Sequence, residues 1–252
     1  MDLGLTDRVY IVSGGSRGLG RAGATALVTE GARVVISSRN EEAVTETVNT
    51  FGSAAALGVP ADLASSQTAN TLVDAAQHGF GRLDGALISV GGPAPGSVLD
   101  VDDDAWRSSF ESVFLGAVRL ARTVVPHLSD GGSILFILST SVLAPISGLA
   151  ASNGLRPGLA MVAKQLADEL GPSGIRVNGL LPGRIDTDRV RELDAADGDP
   201  AAARALREEA IPLRRYGHPE EVGRTAAFLL SPVASYLTGT MTAVDGGSSR
   251  AL

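Results

Sequence analysis

The stretch VYIVSGGSRGLG, residues 9–20, decides the fold. Val9, Tyr10, Ile11 and Val12 form a short run of strand formers bounded by glycine. That is how a strand buried on both faces of a parallel sheet reads. Gly14, Gly18 and Gly20 follow, and Arg21 to Glu30, rich in Ala and Leu, reads as a helix. Glycine lacks a Cβ and tolerates positive φ, which suits a tight strand-to-helix turn. Such a turn also lets backbone approach a pyrophosphate, which the N–H groups and dipole of the helix N-terminus can hold. A plain turn would use the same three glycines, so the rest of the chain has to discriminate.

Working outward, strands and helices alternate. Arg33 to Ser37, Ala54 to Val59, Gly85 to Ser89, Ser133 to Leu138, Ile175 to Leu180 and Thr240 to Val244 read as further strands. Glu41 to Thr50, Ser66 to Phe80, Leu159 to Leu170 and Pro219 to Leu230 read as helices. Asp102 to Leu120 reads as one amphipathic helix, with Trp106, Phe110, Val113, Phe114 and Ala117 at helical spacing and three aspartates at its start. Repeated β-α units predict an α/β fold, a doubly wound parallel sheet with helices on both faces, in one domain. The segment 184–215 breaks the rhythm: it is dense in Asp, Glu, Arg and Ala. It reads as a solvated helical insertion or as a mobile lid over the strand carboxyl ends.

Composition narrows the function. The 252 residues suffice for one large core, and a net charge of −7 argues against nucleic acid or an anionic membrane as partner. With no cysteine, a disulfide framework, a thiol nucleophile and a Cys-ligated metal are excluded. His78, His127 and His218 show no metal-ligand spacing, so no metal site is expected. The start, MDLGLTDR, lacks the basic and apolar lead of a signal peptide, and no apolar run approaches the ~20 residues of a membrane span. A soluble, cytoplasmic protein is the expectation.

The order of motifs resembles the classical short-chain dehydrogenases/reductases over essentially the whole chain. Gly14, Gly18 and Gly20 match the opening signature, Asp62 the adenine-contacting aspartate after the third strand, and Leu83-Asp84 the pair before the fourth. Gly174 to Asn178 (GIRVN), Pro182-Gly183 and Thr187 match the segment leading to the nicotinamide. Arg215 to Val222 and Leu237 to Gly247 match the C-terminal run. The resemblance implies a Rossmann-type sheet, a nicotinamide cofactor, a small-molecule alcohol or carbonyl substrate, and a homotetramer or homodimer. It implies cofactor contacts from Gly14, Ser16, Arg17, Gly18, Leu19 and Gly20 in the first turn. Asp62, Leu63 and Gly91 would lie against the adenosine and its ribose, with Arg156, Pro182, Gly183, Ile185 and Thr187 along the nicotinamide half.

Cofactor choice turns on the end of the second strand. NAD enzymes usually place an acid there, whereas this chain has Ser38 followed by Arg39, with Arg17 in the glycine turn. Two guanidiniums suit a 2′-phosphate, so NADP is expected, with NAD second.

The catalytic positions depart from the resemblance. Counting back from GIRVN places the family's Tyr-x-x-x-Lys on Ser152 to Arg156, its serine on Ser139 and its asparagine on Val113. Tyr10, Tyr216 and Tyr236 fall elsewhere. A serine hydroxyl is a far weaker acid than a phenol, and arginine stays protonated. Asn153 reads as a helix N-cap that would leave Pro157 in the first turn. Ser139, Ser152 and Arg156 are therefore the candidate catalytic residues of an oxidoreductase with an altered proton relay. The alternatives are an inactive NADP(H)-binding sensor or partner subunit, and a non-redox lyase or dehalogenase. Arginine in the lysine position is also similar to the halohydrin dehalogenases. Val90 to Pro95 and Leu143 to Ile146 suggest an apolar pocket wall.

Overall fold

The computed structural model describes residues 1–195 and 198–250. Ala196 and Asp197, inside the expected lid, lie outside the described residues, as do Ala251 and Leu252. The strands are β1 (Val9–Ser13), β2 (Arg33–Ser38), β3 (Ala56–Pro60), β4 (Gly85–Ser89), β5 (Ser133–Ile137), β6 (Arg176–Pro182) and β7 (Met241–Val244). They form one parallel sheet in the order β3-β2-β1-β4-β5-β6-β7. The order reverses between β1 and β4, and ligands of such sheets bind in the crevice beyond that reversal. Register aligns the carboxyl ends: Ser13 pairs with Ile88, Ser89 with Ile137, and Ile137 with Leu180.

Side chains alternate across the sheet and bury both faces. Val9, Ile11, Val35, Ile88, Phe136 and Val177 face α3 (Thr68–Phe80), α5 (Gly116–Val124) and α6 (Ala150–Leu170). Tyr10, Val12, Val34, Ile36, Leu87, Leu135 and Leu180 face α1 (Gly18–Thr29) and α9 (Pro219–Leu230), with α2 (Glu41–Phe51) beside them. Each such fully buried large side chain stabilises the fold by about 1.5–3 kcal/mol relative to exposure. Among the described residues, no helix is long and apolar enough to cross a membrane.

Two helices differ from their sequence reading. The expected helix from Asp102 to Leu120 is α4 (Asp103–Ser109), a π-helical stretch Phe110–Leu115, and then α5. A π turn carries an extra residue and shifts the apolar stripe, which periodicity alone does not show. Val113 and Ala117 are buried, whereas Phe110 stays 41% exposed and stacks on Phe114 at 5.3 Å. Asn153 is not an N-cap. Helix α6 begins three residues earlier, and Asn153 instead ties down the preceding loop: Oδ1 accepts from Ile146 N at 3.0 Å and Nδ2 donates to Ile146 O at 2.8 Å. Pro157 therefore lies inside α6, and the backbone stays helical through Arg156. Ser152 and Arg156 thus sit one turn apart on one face.

Several motif residues prove structural. Asp84 is buried at the amino end of the sheet, accepting from Val9 N at 2.9 Å and from Arg82 at 2.6 and 2.8 Å. Arg176 donates to the carbonyls of Leu229 and Ser231, and Asn178 holds Leu237 and Thr240, so this pair joins β6 to the end of α9 and to β7.

The segment 184–215 contains α7 (Asp188–Ala195) and α8 (Pro200–Ala210). Its charges pair with one another. Asp194 is buried and accepts from Arg207 at 2.5 Å, Arg184 at 3.3 Å and the Tyr216 hydroxyl at 3.0 Å. Asp186 takes Arg191 at 2.5 Å and Arg204 at 3.0 Å, and the Arg204 hydrogen bond leads the effects that hold its carboxyl below the ordinary range.

Candidate active site

The crevice between β1 and β4 is floored by the glycine turn. Gly14 has φ +60°, and a Cβ there would meet Ser89 O at 2.7 Å, while a Cβ on Gly20 would collide with Gly14 O. Only glycine lets the turn fold so tightly against β4 and α1. Helix α1 starts at Gly18 with no side-chain cap and no acid in its first turn, so its leading N–H groups are left for a ligand. At Gly18 the nearest atom a Cβ would meet is Thr187 Cγ2, 4.0 Å away, which sets Thr187 opposite the turn. Gly91 opens on free space. These features fit a dinucleotide pyrophosphate, on the strength of the uncapped helix end and the Cβ-free cradle.

Beside the glycine turn, the end of β2 carries polar and basic groups. Ser16 Oγ donates to Ser38 Oγ at 2.7 Å, closing the turn against the end of β2. Arg17 and Arg39 are both exposed beside this contact. Asp62 is exposed, its Oδ1 accepting from Ala64 N at 3.0 Å, and Leu63 is half-buried. Leu19 packs against the core under α1. Pro182 ends β6 beside Val244, and Gly183 lies against Asp245. Ile185 is turned into the core, 3% exposed.

Farther along the sheet, the carboxyl end of β5 and the first turns of α6 bring the three candidate catalytic residues together. Ser139 is half-exposed, and its Oγ accepts from Ser141 N at 3.1 Å. Ser141 Oγ lies 3.4 Å from Ser152 Oγ. Ser152 is buried and accepts from Arg156 Nε at 3.1 Å. Arg156 Nη1 donates to Ile137 O at 3.1 Å and Leu138 O at 2.9 Å, bolting α6 to the end of β5. Burial, and then the charge of Arg189, lowers its pKa to about 10, so it remains a cation at neutral pH. Val113, in the π-helical stretch, is buried at 1% exposure and offers no polar atom.

Comparison with known proteins agrees with this geometry. Residues 14–249 match the family model described as enoyl-(acyl carrier protein) reductase. Dehydrogenase/reductase SDR family member 4 of Caenorhabditis elegans is 34% identical over 247 residues, covering 95% of this chain and 94% of that protein. The chain belongs to the short-chain dehydrogenase/reductase family.

Within this family of oxidoreductases, the L-sorbose reductase of Gluconobacter frateurii, solved with NADPH and L-sorbose, superposes with a TM-score of 0.93 at 29% identity, covering all of both chains. A short-chain oxidoreductase of Pseudomonas aeruginosa, described as containing an atypical catalytic centre, superposes with a TM-score of 0.91 at 25% identity, over 98% of this chain and 99% of that one. Two residues at this short-chain dehydrogenase/reductase site escaped the sequence reading. Ser141 follows Ser139 by two residues, and Arg189 follows Thr187 by two. Arg189 Nη2 donates to Pro93 O at 3.1 Å, linking α7 to the loop after β4. Neither carries a spacing signal, since a short helical turn and a long-range contact bring them in.

Proposed function

We propose that this chain is an NADP-preferring oxidoreductase acting on an alcohol or carbonyl compound through an altered active site. The uncapped N-terminus of α1, opposite Thr187 across the β1–β4 crevice, carries the reading. It is supported by a relative whose name records NAD(P) chemistry, an L-rhamnose 1-dehydrogenase (NAD(P)(+)), and by the NADPH of the sorbose reductase. Gly14, Ser16, Gly18, Leu19 and Gly20 would hold the pyrophosphate, Arg17, Ser38 and Arg39 the 2′-phosphate, and Asp62, Leu63 and Gly91 the adenosine side. Pro182, Gly183, Ile185 and Thr187 would hold the nicotinamide, which when bound supplies the two-electron chemistry.

The protein's own groups then orient the substrate. Ser139, half-exposed at the end of β5, donates to the carbonyl oxygen, and Ser141 N orients its hydroxyl. Ser152 and Arg156 stand where the family resemblance places Tyr and Lys. Arg156 holds the Ser152 hydroxyl and cannot release a proton itself. A positioned general acid typically contributes about 10²–10⁴-fold, so reduction is expected to be slow by about that factor. NADPH oxidation measured against a panel of carbonyl compounds tests this. Slow turnover is expected, abolished by Ser139→Ala with NADPH affinity unchanged.

One observation favours a second reading. Ser152 is buried and turned onto Arg156 and Ser141, which suits a catalytically inactive NADP(H)-binding sensor or partner subunit. Tight NADPH binding with no turnover across the panel would select it. The paired charges of α7 and α8 beside the crevice suit a lid over 184–215 that opens as a unit.

A further inference from the structure

The start of α7 touches both sides of the crevice. Thr187, the residue before it, stands opposite the glycine turn beyond β1, its Cγ2 4.0 Å from where a Cβ on Gly18 would lie. Arg189, two residues on, reaches the loop beyond β4, its Nη2 donating to Pro93 O at 3.1 Å. The same side chain lies along Gly92, where a Cβ would meet Nε at 2.9 Å, Cζ at 3.4 Å and Cδ at 3.5 Å. Gly92 is not among the glycines with positive φ, so its backbone conformation does not call for glycine. What its missing Cβ provides is room for the guanidinium.

Little else holds this contact in place. Among the described residues, the bond from Arg189 is the one hydrogen bond that reaches residues 91–95. The ion-pair partner of Arg189 among those residues is Glu192, at 3.7 Å on the same helix and exposed, so it adds little. Helix α7 is tied instead to Arg184, Arg207 and Tyr216 through Asp194. The hydrogen-bonded link between α7 and the β4 loop therefore rests on one side chain. It lies at the β1–β4 reversal, where ligands of such sheets bind.

We propose that Arg189 is a latch that holds α7 across the crevice and sets the rate at which a dinucleotide enters and leaves. The identity of that ligand rests on the NADP(H) reading above. Exchange in either direction passes through the unlatched form, so loosening the latch speeds both. The test is stopped-flow NADPH fluorescence, read as association and dissociation rates. Arg189→Gln should raise both rates about three- to tenfold, the worth of one hydrogen bond, and leave Kd within about twofold. Gly92→Ala displaces the guanidinium but keeps its charge, and it should do the same. Combining the two should add nothing further, since both break one contact. Arg189→Lys keeps the charge and a donor without the planar fork and should give intermediate rates. Unchanged rates in both single variants, with NADPH still bound, overturn the latch and leave the NADP(H) reading intact. Slower association in Arg189→Gln with Gly92→Ala unaffected also overturns it, since Arg189 would then act on the cofactor as a charge. Native protein that binds neither NADPH nor NADH removes the cofactor reading and the latch with it.

Discussion

Arg39 and Arg17 show how much a single side chain decides at this site. Both are exposed at the carboxyl edge of the sheet, and neither forms an ion pair among the described residues. Ser38, where an acid would repel a phosphate, is engaged instead with Ser16. Native protein should therefore bind NADPH more tightly than NADH. Arg39→Asp should erase or reverse the preference, at about 1.5–3 kcal/mol per charge-assisted contact. Nicotinamide fluorescence titration of both cofactors is the check, and equal affinities in the native protein would end the idea. Arg156 makes the same point from the interior. Its charge is dictated by residue type, yet its use, as a bolt on β5 with one free nitrogen, depends on neighbours distant in sequence.

At the scale of the element, α9 offers a titratable cap. Glu221 accepts from Arg215 at 2.7 and 2.8 Å and from His218 N at 2.7 Å, across the first turn of the helix. The Arg215 hydrogen bond, followed by that from His218 N, holds its carboxyl down at about 2. A depressed carboxylate adds stability above its unfolded pKa and loses it as pH falls through the folded one. The contribution is thus complete above about 4.5 and gone near 2. Glu221→Gln should lower Tm at pH 7 by the equivalent of about 1 kcal/mol or less, the group being exposed. Melting curves by circular dichroism should show the difference shrinking from pH 5 to 2.5. A constant difference would refute the assignment. Helix α6 carries the opposite lesson: Pro157 argued for a start near Asn153, yet α6, packed on β6 and on Trp106 and Phe114, is helical from Ala150.

For the whole molecule, the helices from α4 to α6 carry exposed apolar side chains. Phe110 is 41% and Met161 70% exposed. The family resemblance pairs these helices across two-fold axes, so a homotetramer is expected, with a homodimer next. Light scattering at micromolar concentration should give four times the chain mass, and Met161→Glu with Phe110→Glu should reduce it. A native monomer would count decisively against this assembly.

By itself the sequence determined the alternation of strands and helices, the glycine turn and the family, because each rests on local chemistry. Buried β runs, a Cβ-free turn and residue spacing within one segment need no distant partner to be legible. Asp62, Ser139, Thr187 and the glycines could be named for the same reason. Only the tertiary structure decided where the polar groups of the site point. Ser152 turns inward because Arg156 meets it one helical turn on, and Arg156 is held by carbonyls of β5, some 18 residues earlier in the chain. Ser141 enters through a short helical turn, and Arg189 through a contact to Pro93 that spans 96 residues. Some of the paired charges of α7 and α8 looked solvated in sequence because their partners lie on another element, as Arg207 with Asp194 and Arg204 with Asp186. Side-chain hydrogen bonds and ion pairs are made across space, and composition along the chain does not encode which partner is within reach.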